Sequence, residues 1–344
     1  MTKAEAVAGM LWVGVTAYAV FGGADFGAGF WSLVAGGSDR GRRARDLADW
    51  AIGPVWEANH VWLIFVLVVL WTGFSTAFEA IFSTLFIPLS LAAFGIVLRG
   101  SGFAFHKTAR RLEGRAAAER LFGLASLFTP FFLGTVVGAI ASGRVPEGNA
   151  AGDAWSSWLN VTSLAIGALF VATSAYLASV FLVYDARRAG APDLERYFTT
   201  RALIAGAVAG VFAVVGIIAL HHNAHYVYDR LTGKALPLVI VSALAGVAVL
   251  VLLRRGAQRY ARPVAIVAVV AVVWGWGVAQ YPYLLPTQLT ISEAAAPSDT
   301  LTGLLIVFVA ALLLVIPSIV LLYTLVQRSL VEEGSAPGAE PGQS

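Results

Sequence analysis

Long apolar runs separated by short polar segments recur along the whole chain. Most of these runs approach or exceed the roughly 20 residues that an α-helix needs to cross a bilayer. The pattern therefore predicts an all-α, polytopic membrane protein with about nine transmembrane helices arranged in bundles. The predicted spans are 6–35, 55–76, 78–100, 120–142, 157–184, 200–220, 236–254, 262–282 and 301–327.

Positive charges lie mainly in alternate loops between these spans. Most of the 23 lysines and arginines fall within 40–45, 99–120, 187–201 and 254–262, or at Arg328. The positive-inside rule then predicts an N-terminus outside and a C-terminus in the cytoplasm, which requires an odd number of spans. Residues 1–330 are expected to form a single transmembrane helical domain. Residues 331–344 are rich in Gly, Pro, Glu and Ser and are predicted to be a disordered C-terminal tail.

The amino-acid composition of the chain excludes several classes of function. The chain of 344 residues is 58% hydrophobic and 12% charged, and it has no cysteine, which excludes disulfides and thiolate metal sites. The basic balance is explained by the loop arginines, so we expect a lipid bilayer rather than nucleic acid as the partner. The sequence contains no nucleotide-binding loop, no serine triad motif and no zinc motif.

The segment 52–64, IGPVWEANHVWLI, places ionisable groups at the start of the second predicted span. Ionisable side chains at membrane depth are costly and usually face a bundle interior or a partner. Glu57 and His60 lie three residues apart on one helix face, where they could relay protons. Two simpler interpretations stay open: Glu57 as a helix N-terminal cap, and His60 as a hydrogen-bonded structural residue.

Asp25 lies within the first span, in GGADFGAG. Helical spacing places Tyr18, Gly22, Asp25 and Gly29 on one face, and the glycines there would allow close approach of a helix or ligand. Asp25 is interpreted as part of a proton path or a subunit seam, or as a structural hydrogen-bonding acid. Arg99 ends the third span and could either approach these acids or anchor the cytoplasmic boundary.

Histidine placement argues against a haem bound by this chain alone. His60 is the one histidine clearly inside a predicted span, whereas a six-coordinate bis-histidine haem needs two. The HHNAH cluster at 221–225 is expected to be a solvated loop rather than a metal site. Pro282 and Pro286 are expected to end the eighth span at the outer face.

These motifs resemble those of subunit II of cytochrome bd-type quinol oxidases, in order and over nearly the full length. GGADFGAG is similar to a DGFDMGVG-type segment of that family, and IGPVWEANHVWLI to its PxWDGNxVWLI motif. Arg99 falls where the family has an arginine, and the end of the chain, from YPYLLPTQLT to LLYT, is similar to the family's closing pattern. The chain departs from the family at Gly22, which replaces an acid, and at Glu57, which replaces an aspartate.

The resemblance implies a haem-free subunit in a bacterial inner membrane. Its partner would be a haem-bearing subunit I with two b-type haems and haem d, in a complex that oxidises quinol and reduces dioxygen to water. Protons would come from the cytoplasm. The resemblance also places Asp25, Glu57 and Arg99 on or beside a proton pathway at the subunit seam, and puts Trp56 in a segment that lies near a structural quinone in some members. His60, which departs from the family pattern, is included in the predicted pathway because it could relay protons with Glu57.

Two other functions remain open at this point. A proton-coupled secondary transporter would also need buried carboxylates and broken helices. Transporters tend to spread polar sites over two corresponding halves, however, and the acids here gather in the first two spans. A non-catalytic assembly factor would leave the Glu57 cluster without a purpose.

Overall fold

The computed structural model describes residues 2–52, 56–108 and 112–332. Its first half is helical: α1 (Lys3–Ala17), a π-helical turn (Tyr18–Gly22), α2 (Gly23–Val34), α3 (Asp39–Ile52), α4 (Trp56–Gly73), α5 (Ser75–Thr84), α6 (Phe86–Thr108) and α7 (Leu112–Ala141). The second half contains α8 (Val161–Arg188), α9 (Pro192–Asn223), α10 (His225–Leu231), α11 (Leu236–Arg254), α12 (Gln258–Gln280), strands β1 (Tyr283–Leu285) and β2 (Leu289–Thr290), and α13 (Ser298–Glu332). The two strands form an antiparallel hairpin between the last two long helices.

The described residues confirm a helical protein with several membrane-spanning segments. Six helical segments are long and apolar enough to cross a bilayer, and a bent pair formed by α4 and α5 raises the number to seven. Shorter apolar helices at Phe86–Gly102 and Ser298–Leu314 coincide with two further predicted spans. The total of nine spans and the orientation of the termini therefore stay predictions.

The predicted third span, 78–100, was wrong as a single helix. After α4 ends, Phe74 leaves helical geometry and α5 turns away by 118°. A second break at Leu85 separates α5 from α6, and both breaking residues are completely buried in the apolar core. Pro88 lies in the first turn of α6, where its missing N–H is tolerated, so it was a sequence signal for this helix start.

The fifth span begins slightly later than predicted, at Val161. Asn160 precedes it, and its side-chain oxygen accepts a hydrogen bond from the Ser163 amide at 3.0 Å, which caps α8. Just upstream, the Asp153 carboxylate accepts hydrogen bonds from the amides of Ser156 and Trp155 at 2.6 and 3.0 Å. These bonds favour the ionised form and lower the pKa of Asp153.

At the C-terminus, α13 continues to Glu332, two residues into the predicted tail. Residues 333–344 lie outside the described residues, and the tail stays a prediction. The histidine cluster differs from the expected loop, because His221 and His222 form the last turn of α9 and His225 begins α10. The polar residues 221–223 suggested a loop, but they continue α9 to its end at Asn223. Leu220 and Ala224, on either side of them, are buried.

Candidate functional site

A buried ion pair joins the first and third predicted spans. Arg99 donates to both carboxylate oxygens of Asp25, at 2.7 Å to Oδ2 and 2.5 Å to Oδ1, and also to the Asp25 main-chain oxygen at 3.2 Å. Each side chain is only 1% exposed. Such bidentate guanidinium–carboxylate geometry is strong and directional. Of the two interpretations of Arg99, proximity to the acid is therefore correct.

Two aromatic rings surround the guanidinium of Arg99. Its central carbon lies 4.8 Å from the ring centre of Phe26 and 4.7 Å from that of Phe122. These distances are typical of cation–π contacts, which strengthen when water is excluded. Its Nε is buried and has no hydrogen-bond partner in the part of the chain that the structure describes. The charge is thus stabilised by one carboxylate and two rings.

Glycines on α6 bring Arg99 against α7. Gly95 and Gly102 lie on the same helix face as Arg99, four residues before and three after it. A Cβ at Gly95 would overlap the Thr129 hydroxyl, and one at Gly102 would lie 3.1 Å from the Ala118 carbonyl oxygen. The close packing of α6 on α7 therefore depends on these two positions, which the sequence analysis missed. In the sequence, this packing role was indicated by the spacing of the two glycines around an arginine at the end of a predicted span.

Glycines on α2, the helix that carries Asp25, allow it to pack closely on α7 and α8. A Cβ at Gly29 would overlap the Ser126 hydroxyl of α7, and one at Gly27 would overlap the Ser174 carbonyl of α8. The indole of Trp31 also donates to the Ala175 main-chain oxygen on α8 at 2.7 Å. The expected close approach at Gly29 is confirmed, and α2 is held against both α7 and α8 with its acid buried.

A π-helical turn precedes this segment and alters the predicted face. It spans Tyr18–Gly22, and its extra residue shifts the phase of everything that follows. The atoms nearest to a Cβ built at Gly22 therefore belong to the Tyr18 ring of the same segment, the first of them at 2.8 Å. π-Helical turns are frequent at functional sites, although this one is found by geometry and not by any sequence motif.

An aromatic cluster connects His60 with the ion pair. The His60 ring centre lies 6.1 Å from that of Tyr18 and 5.9 Å from that of Phe26, both edge to face. Phe26 is also the ring that lies beside Arg99. The structure thus brings His60 into the same cluster as Asp25 and Arg99, through Tyr18 and Phe26. The Tyr18 hydroxyl is buried, with no hydrogen-bond partner among the residues described.

The remaining predicted residues lie at the start of α4. Glu57 is in the first turn of the helix, and its side chain is exposed on the surface of this chain. Asn59 is buried. Residues 53–55 and the side chain of Trp56 lie outside the described part, so the quinone contact of Trp56 stays a prediction. Glu57 is therefore separate from the buried ion pair and faces outward from the subunit.

A family model describes nearly the whole chain. It is that of cytochrome bd terminal oxidase subunit II, and it matches residues 4–326. The chain belongs to this family.

Known relatives agree with this assignment. A cytochrome bd menaquinol oxidase subunit II of Bacillus subtilis is 22% identical over 95% of this chain and 96% of its own length. A cytochrome bd ubiquinol oxidase subunit 2 from the same organism is 29% identical over 33% of each protein. A chain of the bd oxidase structure from Geobacillus thermodenitrificans superposes with a TM-score of 0.78 at 29% identity, covering 94% of this chain and 98% of that one.

The resemblance predicted from the motifs is thereby confirmed. This subunit II is a membrane protein and one part of a cytochrome bd oxidase, a haem-containing oxidoreductase complex of electron transport in which a subunit I is its partner. Family membership thus favours an oxidase over the transporter hypothesis.

Among the described side chains of this subunit II, no group of three or more histidine, aspartate or glutamate residues is placed to hold a metal ion. His60 is packed against aromatic rings. The other histidines with described side chains, His221, His222 and His225, contact one another at the junction of α9 and α10.

Proposed function

We propose that this chain is the haem-free partner subunit of a cytochrome bd-type terminal oxidase that couples quinol oxidation to the reduction of dioxygen to water. The two b-type haems and haem d would be held by subunit I. The observation that carries the proposal is the family match over residues 4–326. It is supported by full-length similarity to a subunit of a bacterial quinol oxidase, which also favours a multi-pass location in a bacterial inner membrane.

The scaffold role is supported by the packing around Asp25 and Arg99. Their ion pair fixes α2 to α6, and the glycines beside it fix both helices to α7. A buried pair of this kind holds two helices in one arrangement because either charge alone would be left unpaired. We propose that this helix group gives subunit I a rigid surface on which to assemble.

Proton access is proposed to begin at Glu57. This carboxylate is exposed on the chain, and His60 lies one turn further along the same helix, against the aromatic cluster that contains Phe26. Asp25 and Arg99 lie beyond Phe26. A surface acid followed by an imidazole and a buried ion pair is an arrangement suited to carrying protons inward. Both oxygens of Asp25 are occupied by Arg99, so Asp25 would take part only when the pair opens.

The partner assignment can be tested by purification. We expect the tagged chain to co-purify with a second polytopic protein, and the preparation to show b-type and d-type haem bands in a reduced-minus-oxidised spectrum. The preparation should consume oxygen when quinol is supplied. A chain that purifies alone, without haem and without quinol oxidase activity, would contradict the proposal.

The proton role of Glu57 predicts a specific loss of turnover. Glu57→Gln keeps the size of the side chain but removes its titratable group, so quinol-driven oxygen consumption should fall by roughly tenfold or more. Glu57→Asp should retain much of the rate. Glu79→Gln is a matched control because Glu79 is also exposed, in α5. Full turnover in Glu57→Gln, with haem content unchanged, would reject the role.

A further inference from the structure

The turn between α11 and α12 carries a concentration of unneutralised positive charge. Arg254, Arg255 and Arg259 are all exposed, and none of them forms an ion pair with any residue that the structure describes. Residues 236–280, which contain both helices and the turn, include no aspartate or glutamate. The counter-charge for these arginines must therefore come from outside this helical hairpin.

Nearby acids on α8 and α9 are already engaged. Asp185 pairs with Arg262 at 4.0 Å, and Glu195 accepts a hydrogen bond from the Gln258 amide at 2.6 Å. Arg187 donates to the side-chain oxygen of Gln258 and, at 3.2 Å, to the main-chain oxygen of Gly256. These bonds hold the turn firmly on α8 and α9. Contacts within the chain thus fix the position of the turn that carries the three unpaired arginines.

An apolar stripe leads directly to these arginines. Ile240, Leu244, Val247 and Val251 follow one another at spacings of four, three and four on α11, and their exposures are 48%, 65%, 59% and 41%. The same spacing continues from Val251 to positions 254 and 255. Arg254 and Arg255 therefore end the stripe on its own face of α11.

The beginning of α12 adds a group suited to the membrane interface. Tyr260 is 58% exposed, and its ring centre lies 5.9 Å from the guanidinium carbon of Arg259. Tyrosine is enriched at the depth of lipid headgroups because its ring is apolar and its hydroxyl is polar. The turn thus places three arginines and an exposed tyrosine at the end of the apolar stripe on α11.

We propose that this turn binds the phosphate headgroup of an anionic phospholipid, with an acyl chain lying along the Ile240–Val251 stripe of α11. Basic clusters at the ends of transmembrane helices attract anionic headgroups, and arginine can donate two hydrogen bonds to one phosphate. A zwitterionic lipid carries its own cation and would compensate the three arginines less well. A free phosphate would use the charges but not the apolar stripe.

The proposal is tested on the purified oxidase complex by native mass spectrometry with added phosphatidylglycerol. We expect Arg254→Gln/Arg255→Gln/Arg259→Gln to weaken phosphatidylglycerol binding by about tenfold or more. Phosphatidylcholine with the same acyl chains should bind the unmodified complex more weakly than phosphatidylglycerol, and glycerol phosphate should not compete for the site. The triple substitution to lysine preserves the charge but loses the paired hydrogen-bond donors, so its binding should lie between that of the unmodified complex and that of the glutamine variant.

A matched control removes equal charge elsewhere. Arg40, Arg42 and Arg120 are exposed, and they do not lie at the end of the α11 stripe. Their triple substitution with glutamine should leave phosphatidylglycerol binding unchanged. The proposal is overturned if both triple glutamine variants bind the lipid equally, if phosphatidylcholine binds as well as phosphatidylglycerol, or if glycerol phosphate displaces the lipid.

Discussion

Arg99→Leu will destabilise the subunit by about 3–5 kcal/mol, the typical cost of removing one partner from a buried ion pair. The substitution leaves the Asp25 carboxylate, 1% exposed, without either of its guanidinium hydrogen bonds. It also removes the guanidinium contacts with the rings of Phe26 and Phe122. The expected result is a lower melting temperature of the purified complex and a smaller yield of assembled oxidase.

Two comparisons separate this effect from a general loss of charge. Arg43→Leu breaks the pair with Asp193, whose side chains are 42% and 39% exposed, and should cost no more than about 1 kcal/mol. Asp25→Leu/Arg99→Leu removes both buried charges and should be more stable than either single variant. If Arg99→Leu is no more harmful than Arg43→Leu, the buried pair does not stabilise the fold as argued.

Gly27→Ala will weaken the contact between α2 and α8. The new methyl group would overlap the main-chain carbonyl of Ser174, which cannot rotate away as a side chain could. One helix must move, and overpacking of this kind costs typically about 1–3 kcal/mol. The shift would also disturb the hydrogen bond from Trp31 to Ala175 and the position of Asp25 two residues earlier. The melting temperature of the complex and its rate of oxygen consumption should both decrease.

Gly9→Ala provides the matched control in the same transmembrane segment. No heavy atom lies within 4 Å of a Cβ built at Gly9. Alanine is the better helix former by about 1 kcal/mol, so this variant should be as stable as the unmodified protein or slightly more so. Equal behaviour of the two alanine variants would show that the α2–α8 contact tolerates the added methyl group.

Hydrophobic periodicity predicted most long helices because each span contains enough apolar residues to be recognised locally. The break at Leu85 was missed since its cause is tertiary: Phe74 and Leu85 leave helical geometry while becoming completely buried. A run of apolar residues looks continuous whether or not the backbone turns within it. Pro88 was the one local sign of a new helix start.

The sequence predicted individual residues of the candidate site, but it did not predict which of them contact one another. Asp25 and Arg99 could be selected individually because charges at membrane depth are costly. Their direct contact spans 74 positions in the sequence and depends on glycines that let α2 and α6 approach α7. Glu57 was expected on or beside a proton route at the subunit seam, and it is exposed on this chain. Local spacing cannot specify which side of a helix faces a neighbouring subunit.

The wide turn at Tyr18–Gly22 has a consequence for the direction of the buried charge in the first transmembrane segment. One residue of an α-helix corresponds to a rotation of about 100°. A regular α-helix over the same residues would therefore rotate the carboxylate of Asp25 by about that angle, away from Arg99. The number of residues that this turn accommodates, as well as the choice of residues, thus determines which face of the segment carries the acid.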